Sequence, residues 1–190
     1  MRQGGSQPTS MFRTIPNQIT LARIASVPLV MFLILSDHDI GRIVATIIFF
    51  LAAISDAVDG YLARTFKQTS VFGKFADPIA DKLLVSGALI ALVQLGELTA
   101  APVMVIIARE FLVTGLRILA ISNGCVISAS FLGKLKTISH VALVLAILVS
   151  RSFAMGAWWD TLEIACLALA LAMSLASGFE YFYRSRSLFT

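Results

Sequence analysis

Long apolar segments alternate with short polar connections almost from one end of the chain to the other. The apolar segments cover residues 24–35, 41–59, 79–95, 101–121, 133–149 and 162–182. About twenty helical residues cross the roughly 30 Å hydrocarbon core of a bilayer, and most of these segments approach that length. The pattern therefore predicts an all-α fold, an integral membrane bundle of six transmembrane helices.

The polar stretches predict how the chain is divided. Residues 1–16 read as a polar N-terminal extension with no apolar core of signal-peptide length, 17–183 as the membrane domain and 184–190 as a basic tail. Within the membrane domain, 17–23 is predicted to be an interfacial turn and 64–74 a basic connector. Pro78 is expected in or near the first turn of the third helix, where its missing N–H costs least.

Composition agrees with a membrane protein rather than a soluble domain with an anchor. Hydrophobic residues make up 58% of the 190 residues, and the net charge is a modest +4. A basic membrane protein more often faces anionic phosphates or lipid headgroups than nucleic acid. We therefore expect membrane lipid, and no nucleic acid, among its partners.

The distribution of basic residues predicts the orientation in the membrane. One set of alternate connections carries most of them, whereas only Arg42 and Arg151 lie near the other side. The positive-inside rule then places both termini in the cytoplasm of a multi-pass protein of the cytoplasmic (inner) membrane. The cytoplasmic set comprises Arg2, Arg13, Arg23, Arg64, Lys67, Lys74, Lys134, Lys136, Arg184 and Arg186.

Four of the eleven acidic residues crowd into one segment between apolar runs: Asp56, Asp59, Asp77 and Asp81. On helices the first two are i,i+3 neighbours and the last two i,i+4 neighbours, so each pair projects from one face. Carboxylates in a membrane are costly unless they are compensated. Oxygen ligands converging from two helices suit hard divalent cations such as Mg²⁺ or Mn²⁺, which predicts a metal site.

The spacing around these aspartates resembles the signature of the CDP-alcohol phosphatidyltransferase family. The matching residues are Asp56-x2-Asp59-Gly60-x2-Ala63-Arg64-x8-Gly73-x3-Asp77-x3-Asp81. The resemblance implies a six-helix bundle with a polar cavity that opens to the cytoplasm and laterally to lipid. It also implies that the four aspartates hold two divalent ions, Mg²⁺ or Mn²⁺, against the pyrophosphate of CDP-diacylglycerol. By the same analogy, Asp81 is the catalytic residue that accepts the proton of the attacking hydroxyl.

Small and basic residues near the aspartates suit a nucleotide diphosphate. Gly60 and Ala63 leave room for a nucleotide close to the helix backbone, and the glycine is kept despite a helix penalty of about 1 kcal/mol. Arg64 returns to nearly the same face as Asp56 and could pair with the diphosphate. The segment 17–23 also resembles the amino-terminal part of these enzymes. The predicted CDP-diacylglycerol site comprises Asn17, Thr20, Gly60, Ala63, Arg64, Ser70 and Gly73.

Residues from Asp77 onward resemble a branch of the family whose acceptor is glycerol 3-phosphate. The similar residues are Asp77-Pro78 with Asp81-Lys82, Arg109-Glu110 with Arg117, and Gly133-Lys134-x-Lys136-Thr137. The acceptor's phosphate needs charge-assisted hydrogen bonds, and several basic residues can fix its orientation. We predict an anion pocket of Arg117, Lys134 and Lys136. Arg109 is expected either to be held by Glu110 or to join this pocket.

Other functions remain open at this point. Alternative acceptors within the family are phosphatidylglycerol (the acceptor of a cardiolipin synthase), an inositol phosphate and serine. A polyprenyl transferase would place its aspartate motifs far apart in a longer chain. A divalent-ion transporter would need acidic residues along a path, and the opposite side has only scattered acids such as Glu97 and Asp160. His38 and His140 have no partners at metal-ligand spacing, and a homodimer is possible without a visible seam.

Overall fold

A computed structural model describes residues 15–36, 38–66, 71–122, 130–153 and 155–186. Within these ranges it describes the side chains of all residues except 15–20, 56–66, 71–78, 80–81 and 121. The described residues form six helices and no strand, which confirms the all-α prediction. The helices are α1 (Ile15–Ile34), α2 (Asp39–Phe66), α3 (Val71–Gln94), α4 (Ala100–Ser122), α5 (Phe131–Ser152) and α6 (Trp158–Arg184).

Three local predictions were wrong because polar sequence was taken for non-helical sequence. Residues 17–23 are not a turn but the first half of α1. The predicted connector 64–74 is largely helical, since α2 extends to Phe66 and α3 begins at Val71. Pro78 consequently lies in the interior of α3 instead of its first turn. Apolar periodicity indicates which helix faces are buried, so it does not detect a helical segment that is mostly polar.

The core lies along the axis of the bundle and receives side chains from all six helices. α1 packs mainly against α3, and α5 packs against α6 and α2. Gly87 permits the close approach of α1 and α3, because a Cβ there would lie 2.9 Å from Cγ1 of Val27. The core includes Val30, Ile34, Phe49, Leu89, Leu92, Ile106, Leu143, Ile147 and Ala170.

The outward faces of the helices are unusually apolar for a protein in water. Phe32, Ile164 and Phe179 are each about 70% exposed, and many other large apolar side chains join them. Soluble proteins rarely expose contiguous apolar surface on this scale. Among the described residues, α5 and α6 are long and apolar enough to cross a membrane, and shorter apolar stretches occupy Leu21–Ile34 and Lys82–Gln94.

Polar contacts at the end of the bundle where α5 finishes and α6 begins are few and partly exposed. Glu97, after α3, pairs with Arg151 near the end of α5. Trp159 donates its indole N–H to the carbonyl of Ala146 at 3.0 Å. Tryptophans with one apolar and one polar contact are typical of membrane interfaces. The functionally interesting polar residues lie toward the other end.

Candidate functional site

The four aspartates of the motif lie on two neighbouring helices. Asp56 and Asp59 are in the second half of α2, and Asp77 and Asp81 are in the first half of α3. Both helices are continuous through these positions, so the predicted i,i+3 and i,i+4 spacings are realised in the backbone. Their side chains lie outside the described residues, and metal coordination stays a prediction.

The predicted CDP-diacylglycerol residues follow the same division. Gly60, Ala63 and Arg64 belong to α2, and Gly73 belongs to α3. Asn17 and Thr20 belong to α1. The side chains of all these residues, and Ser70 entirely, lie outside the described part of the chain. The backbone thus places the motif on α1, α2 and α3, and its contacts remain predictions.

Three charged side chains from α4 and α5 form a buried charge cluster, defined here as Arg109, Glu110 and Lys136. Each residue is only 7–8% exposed. Nη1 of Arg109 lies 2.8 Å from Oε1 of Glu110, and Nζ of Lys136 donates a hydrogen bond to the same oxygen. Two positive charges therefore share one carboxylate, which leaves the cluster with a net positive charge. A net positive charge of this kind favours a nearby anion.

Helix α6 provides the remaining support for Arg109. The Nη2 atom of Arg109 donates a hydrogen bond of 2.8 Å to Oγ of Ser177, and Ser177 is fully buried. Hydrogen bonds to its donor groups stabilise a buried charge. Nη1 and Nη2 of Arg109 have such partners, whereas its Nε has none among the described residues. The sequence prediction that Arg109 is held by Glu110 agrees with this geometry. That Lys136 is held by the same carboxylate was not predicted.

A small cavity adjoins the buried charge cluster. Its volume is about 20 Å³, enough for about one water molecule, and it lies among α3, α4 and α5. His140 is 2% exposed, lines this cavity one turn after Lys136, and its Nε2 has no hydrogen-bond partner among the described residues. The lining residues are Lys82, Val85, Ser86, Leu89, Ile106, Glu110, Lys136, Thr137 and His140.

Lys82 connects the aspartate-bearing part of α3 to α4. This residue directly follows Asp81, and its Nζ donates a hydrogen bond to Oγ1 of Thr114. Thr114 lies one turn after Glu110 and donates its hydroxyl to the Glu110 carbonyl at 2.7 Å. The backbone segment that carries Asp81 therefore borders the buried charge cluster.

The other two predicted acceptor residues lie nearer the surface. Arg117 is in the last two turns of α4, and Lys134 is in the first turn of α5; both are exposed. Lys134 and Lys136 are two residues apart on one helix, so their side chains project from nearly opposite faces, one exposed and one buried. Of the four predicted acceptor residues, the structure brings Arg109 and Lys136 together around Glu110 and leaves Arg117 and Lys134 exposed.

Sequence reasoning assigned no role to His140, Ser177 or Tyr181, although all three lie around the buried charge cluster. A signal for them exists in the helical spacing. Lys136 and His140 are i,i+4 neighbours on α5, and Ser177 and Tyr181 are i,i+4 neighbours on α6. Polar residues that share one face of a membrane helix indicate a face turned to the interior.

Comparisons with known proteins agree with the motif. A family model for CDP-alcohol phosphatidyltransferase matches residues 13–176. The CDP-diacylglycerol–glycerol-3-phosphate 3-phosphatidyltransferase of Bacillus subtilis (strain 168) is 42% identical over 191 residues, covering 90% of this chain and 94% of that protein. The protein of the same name in Rickettsia typhi (strain ATCC VR-144 / Wilmington) is 35% identical over 178 residues, covering 93% of this chain and 99% of that protein.

Proposed function

The chain belongs to the CDP-alcohol phosphatidyltransferase family, and we propose that it transfers the phosphatidyl group of CDP-diacylglycerol to glycerol 3-phosphate. The products are phosphatidylglycerophosphate and CMP, in phospholipid biosynthesis. The observation that carries this proposal is the nearly full-length similarity to a Bacillus subtilis protein named for the same activity. The net positive charge of the buried charge cluster supports an acceptor with a net negative charge over serine, whose net charge at neutral pH is zero.

The reaction requires a membrane setting, because one substrate and one product are lipids. We propose that residues 17–183 form the catalytic membrane domain with six spans, a cytoplasm-facing polar cavity and both termini in the cytoplasm. The length and apolar surface of α5 and α6 support the membrane assignment. The concentration of basic residues in alternate connections supports the cytoplasmic orientation.

We propose that the carboxylates of α2 and α3 hold two divalent ions, Mg²⁺ or Mn²⁺. Asp56, Asp59, Asp77 and Asp81 offer only hard carboxylate oxygens, and the two helices run unbroken through them. When bound, the ions would neutralise charge on the pyrophosphate oxygens. Phosphoryl transfer depends mainly on positioning and on such charge stabilisation, with little covalent help from the protein.

The chain's own residues have separate tasks in the proposed reaction. Arg64 pairs with the diphosphate of CDP-diacylglycerol, and Gly60 and Ala63 leave room for the nucleotide. Asp81 accepts the proton from the attacking hydroxyl of glycerol 3-phosphate. That oxygen then forms a bond to the lipid-side phosphorus while the bond to the departing CMP oxygen breaks. Asn17, Thr20, Ser70 and Gly73 complete the donor site.

The acceptor's phosphate is assigned to the basic residues of α4 and α5. Lys136 and Arg109 carry two positive charges against the single carboxylate of Glu110. Arg117 and Lys134 add charge at the surface, where they can attract the anion toward the buried charge cluster. This arrangement separates the phosphate of the acceptor from the aspartates, which need only its hydroxyl.

Lys134→Ala and Arg117→Ala are each expected to raise the KM for glycerol 3-phosphate about 10-fold, because each removes a charge-assisted hydrogen bond. The KM for CDP-diacylglycerol should change little. Arg184→Ala is the matched control, since Arg184 is exposed on α6 and pairs with Glu180 of the same helix. Steady-state kinetics with each substrate varied separately provide the measurement. Equal increases in both KM values would contradict a separate acceptor pocket.

An acceptor panel tests the proposed function against its alternatives. Purified protein with CDP-diacylglycerol and Mg²⁺ or Mn²⁺ receives glycerol 3-phosphate, phosphatidylglycerol, inositol phosphate or serine, and CMP release is measured. We expect glycerol 3-phosphate to support the fastest release by at least about 10-fold. Preference for phosphatidylglycerol would indicate a cardiolipin synthase, and no release with any acceptor would favour the transporter.

A further inference from the structure

The C-terminal part of α6 contacts both Arg109 of α4 and the start of α5. Ser177, Gly178 and Tyr181 lie within two turns on one face of α6, and all three are buried. We call these three residues the α6 support face.

The first two residues of the α6 support face fix the position of Arg109. Ser177 accepts a hydrogen bond from Nη2 at 2.8 Å. A Cβ at Gly178 would lie 3.2 Å from Cγ of Arg109, so the absence of a side chain lets the arginine stem lie directly on the helix. The guanidinium is thereby held between Glu110 of its own helix and Ser177 of α6.

Tyr181 contacts the start of α5 as well as Arg109. Its hydroxyl accepts a hydrogen bond of 3.2 Å from the backbone N–H of Ser130, which is 3% exposed. Ser130 is the N-cap of α5 and accepts from the N–H of Gly133 at 3.0 Å. The guanidinium carbon of Arg109 lies 6.0 Å from the centre of the Tyr181 ring, at the outer limit of a cation–π contact.

The fit around this N-cap is tight. A Cβ at Gly133 would lie 3.3 Å from Oγ of Ser130 and 3.4 Å from Oη of Tyr181. The first turn of α5 is therefore packed against the tyrosine hydroxyl. Lys134 belongs to that turn and Lys136 to the next one. A shift at Ser130 would move both lysines relative to Arg109.

We propose that Tyr181 is a positioning residue for the acceptor's phosphate. It holds the N-cap of α5, which carries Lys134 and Lys136, in register with Arg109 of α4. The inference deepens the proposed function and rests on it for the identity of the anion. The chemical class recognised is a phosphate monoester, for which inorganic phosphate serves as the simplest probe.

Tyr181→Phe keeps the ring and removes the hydroxyl that accepts from Ser130. The buried N–H then lacks its partner, which costs about as much as one unmade hydrogen bond. We expect the KM for glycerol 3-phosphate to rise about two- to tenfold, while kcat and the KM for CDP-diacylglycerol stay near wild type. Tyr183→Phe is the matched control, because Tyr183 is 58% exposed on the same helix.

A second readout does not depend on turnover. Detergent-purified protein is titrated with inorganic phosphate, and its thermal unfolding is followed. Phosphate should stabilise both proteins, with a half-saturating phosphate concentration about two- to tenfold higher in Tyr181→Phe than in wild type. Tyr183→Phe should match wild type. Identical phosphate titrations and acceptor KM values for Tyr181→Phe and wild type would overturn the proposal.

Ser177→Ala keeps the proposal testable if Tyr181→Phe does not fold. This variant loses the acceptor for Arg109 and should weaken phosphate binding in the same direction. Ser174→Ala is its control, since Ser174 is fully buried one turn earlier and its hydroxyl has no hydrogen-bond partner among the described residues. Equal titrations for Ser177→Ala and Ser174→Ala would count against the α6 support face. Failure of the proposed function looks different: wild type would not release CMP with glycerol 3-phosphate, while the phosphate titrations would still separate the variants.

Discussion

Replacing Asp81 with asparagine is expected to lower kcat about 100- to 10,000-fold, the usual contribution of a general base. The proposed reaction requires a proton acceptor at the attacking hydroxyl, and an amide cannot take that proton. Binding of CDP-diacylglycerol should be largely retained, because the other three aspartates and Arg64 remain. The measurement pairs steady-state turnover with equilibrium binding of CDP-diacylglycerol to the same preparation.

The companion variants Asp56→Asn and Asp59→Asn should behave differently from Asp81→Asn. Each removes a proposed metal ligand, so the Mg²⁺ or Mn²⁺ concentration needed for half-maximal rate should rise. Asp39→Asn is the matched control on the same helix, since Asp39 is an exposed carboxylate at the start of α2 that pairs with Arg42. If Asp56→Asn and Asp59→Asn kept normal turnover without excess metal, the metal assignment would be wrong.

Replacing Glu110 with glutamine should produce the largest loss of stability among single substitutions in the described site. Arg109 and Lys136 both depend on this carboxylate, and all three residues are buried. Breaking a buried pair from one side typically costs about 3–5 kcal/mol, because an uncompensated charge remains. Here two like charges would face each other. The free energy of unfolding in detergent provides the measurement.

Two controls separate this effect from the loss of any ion pair. Glu97→Gln removes the carboxylate that pairs with Arg151, where both side chains are partly exposed, and should cost about 0–1 kcal/mol. The double variant Glu110→Gln with Lys136→Met removes one of the two facing charges and should regain part of the stability without regaining acceptor affinity. A Glu110→Gln protein as stable as Glu97→Gln would contradict the role given to the buried charge cluster.

The helices could be predicted from the sequence because each is dominated by an apolar run. The start of α1 and the facing ends of α2 and α3 could not, because residues such as Asn17, Arg64 and Lys74 are polar yet helical. Apolar content detects contact with lipid or core, whereas these segments belong to the predicted polar site. Their polarity prevents their recognition as helices from apolar content, and the same polarity makes them candidates for ligand binding.

The aspartate motif could be predicted since its residues are close in sequence and their spacing fixes one helical face. The pairing of Arg109 with Glu110 could also be predicted, because the two residues are adjacent. The contacts of Lys136, Ser177 and Tyr181 could not, since they join residues from three helices across 26 to 68 positions. Such contacts depend on how the helices pack.

The most direct test of the central claim follows the acceptor into the lipid product. Purified wild-type protein is given CDP-diacylglycerol, a divalent metal and glycerol 3-phosphate labelled in its phosphate, and both CMP and extractable lipid are quantified. We predict that label enters the lipid fraction in proportion to CMP, one for one, and that the labelled lipid has the mass of phosphatidylglycerophosphate. CMP release without label in lipid, or labelled lipid without CMP, would contradict the proposed transfer.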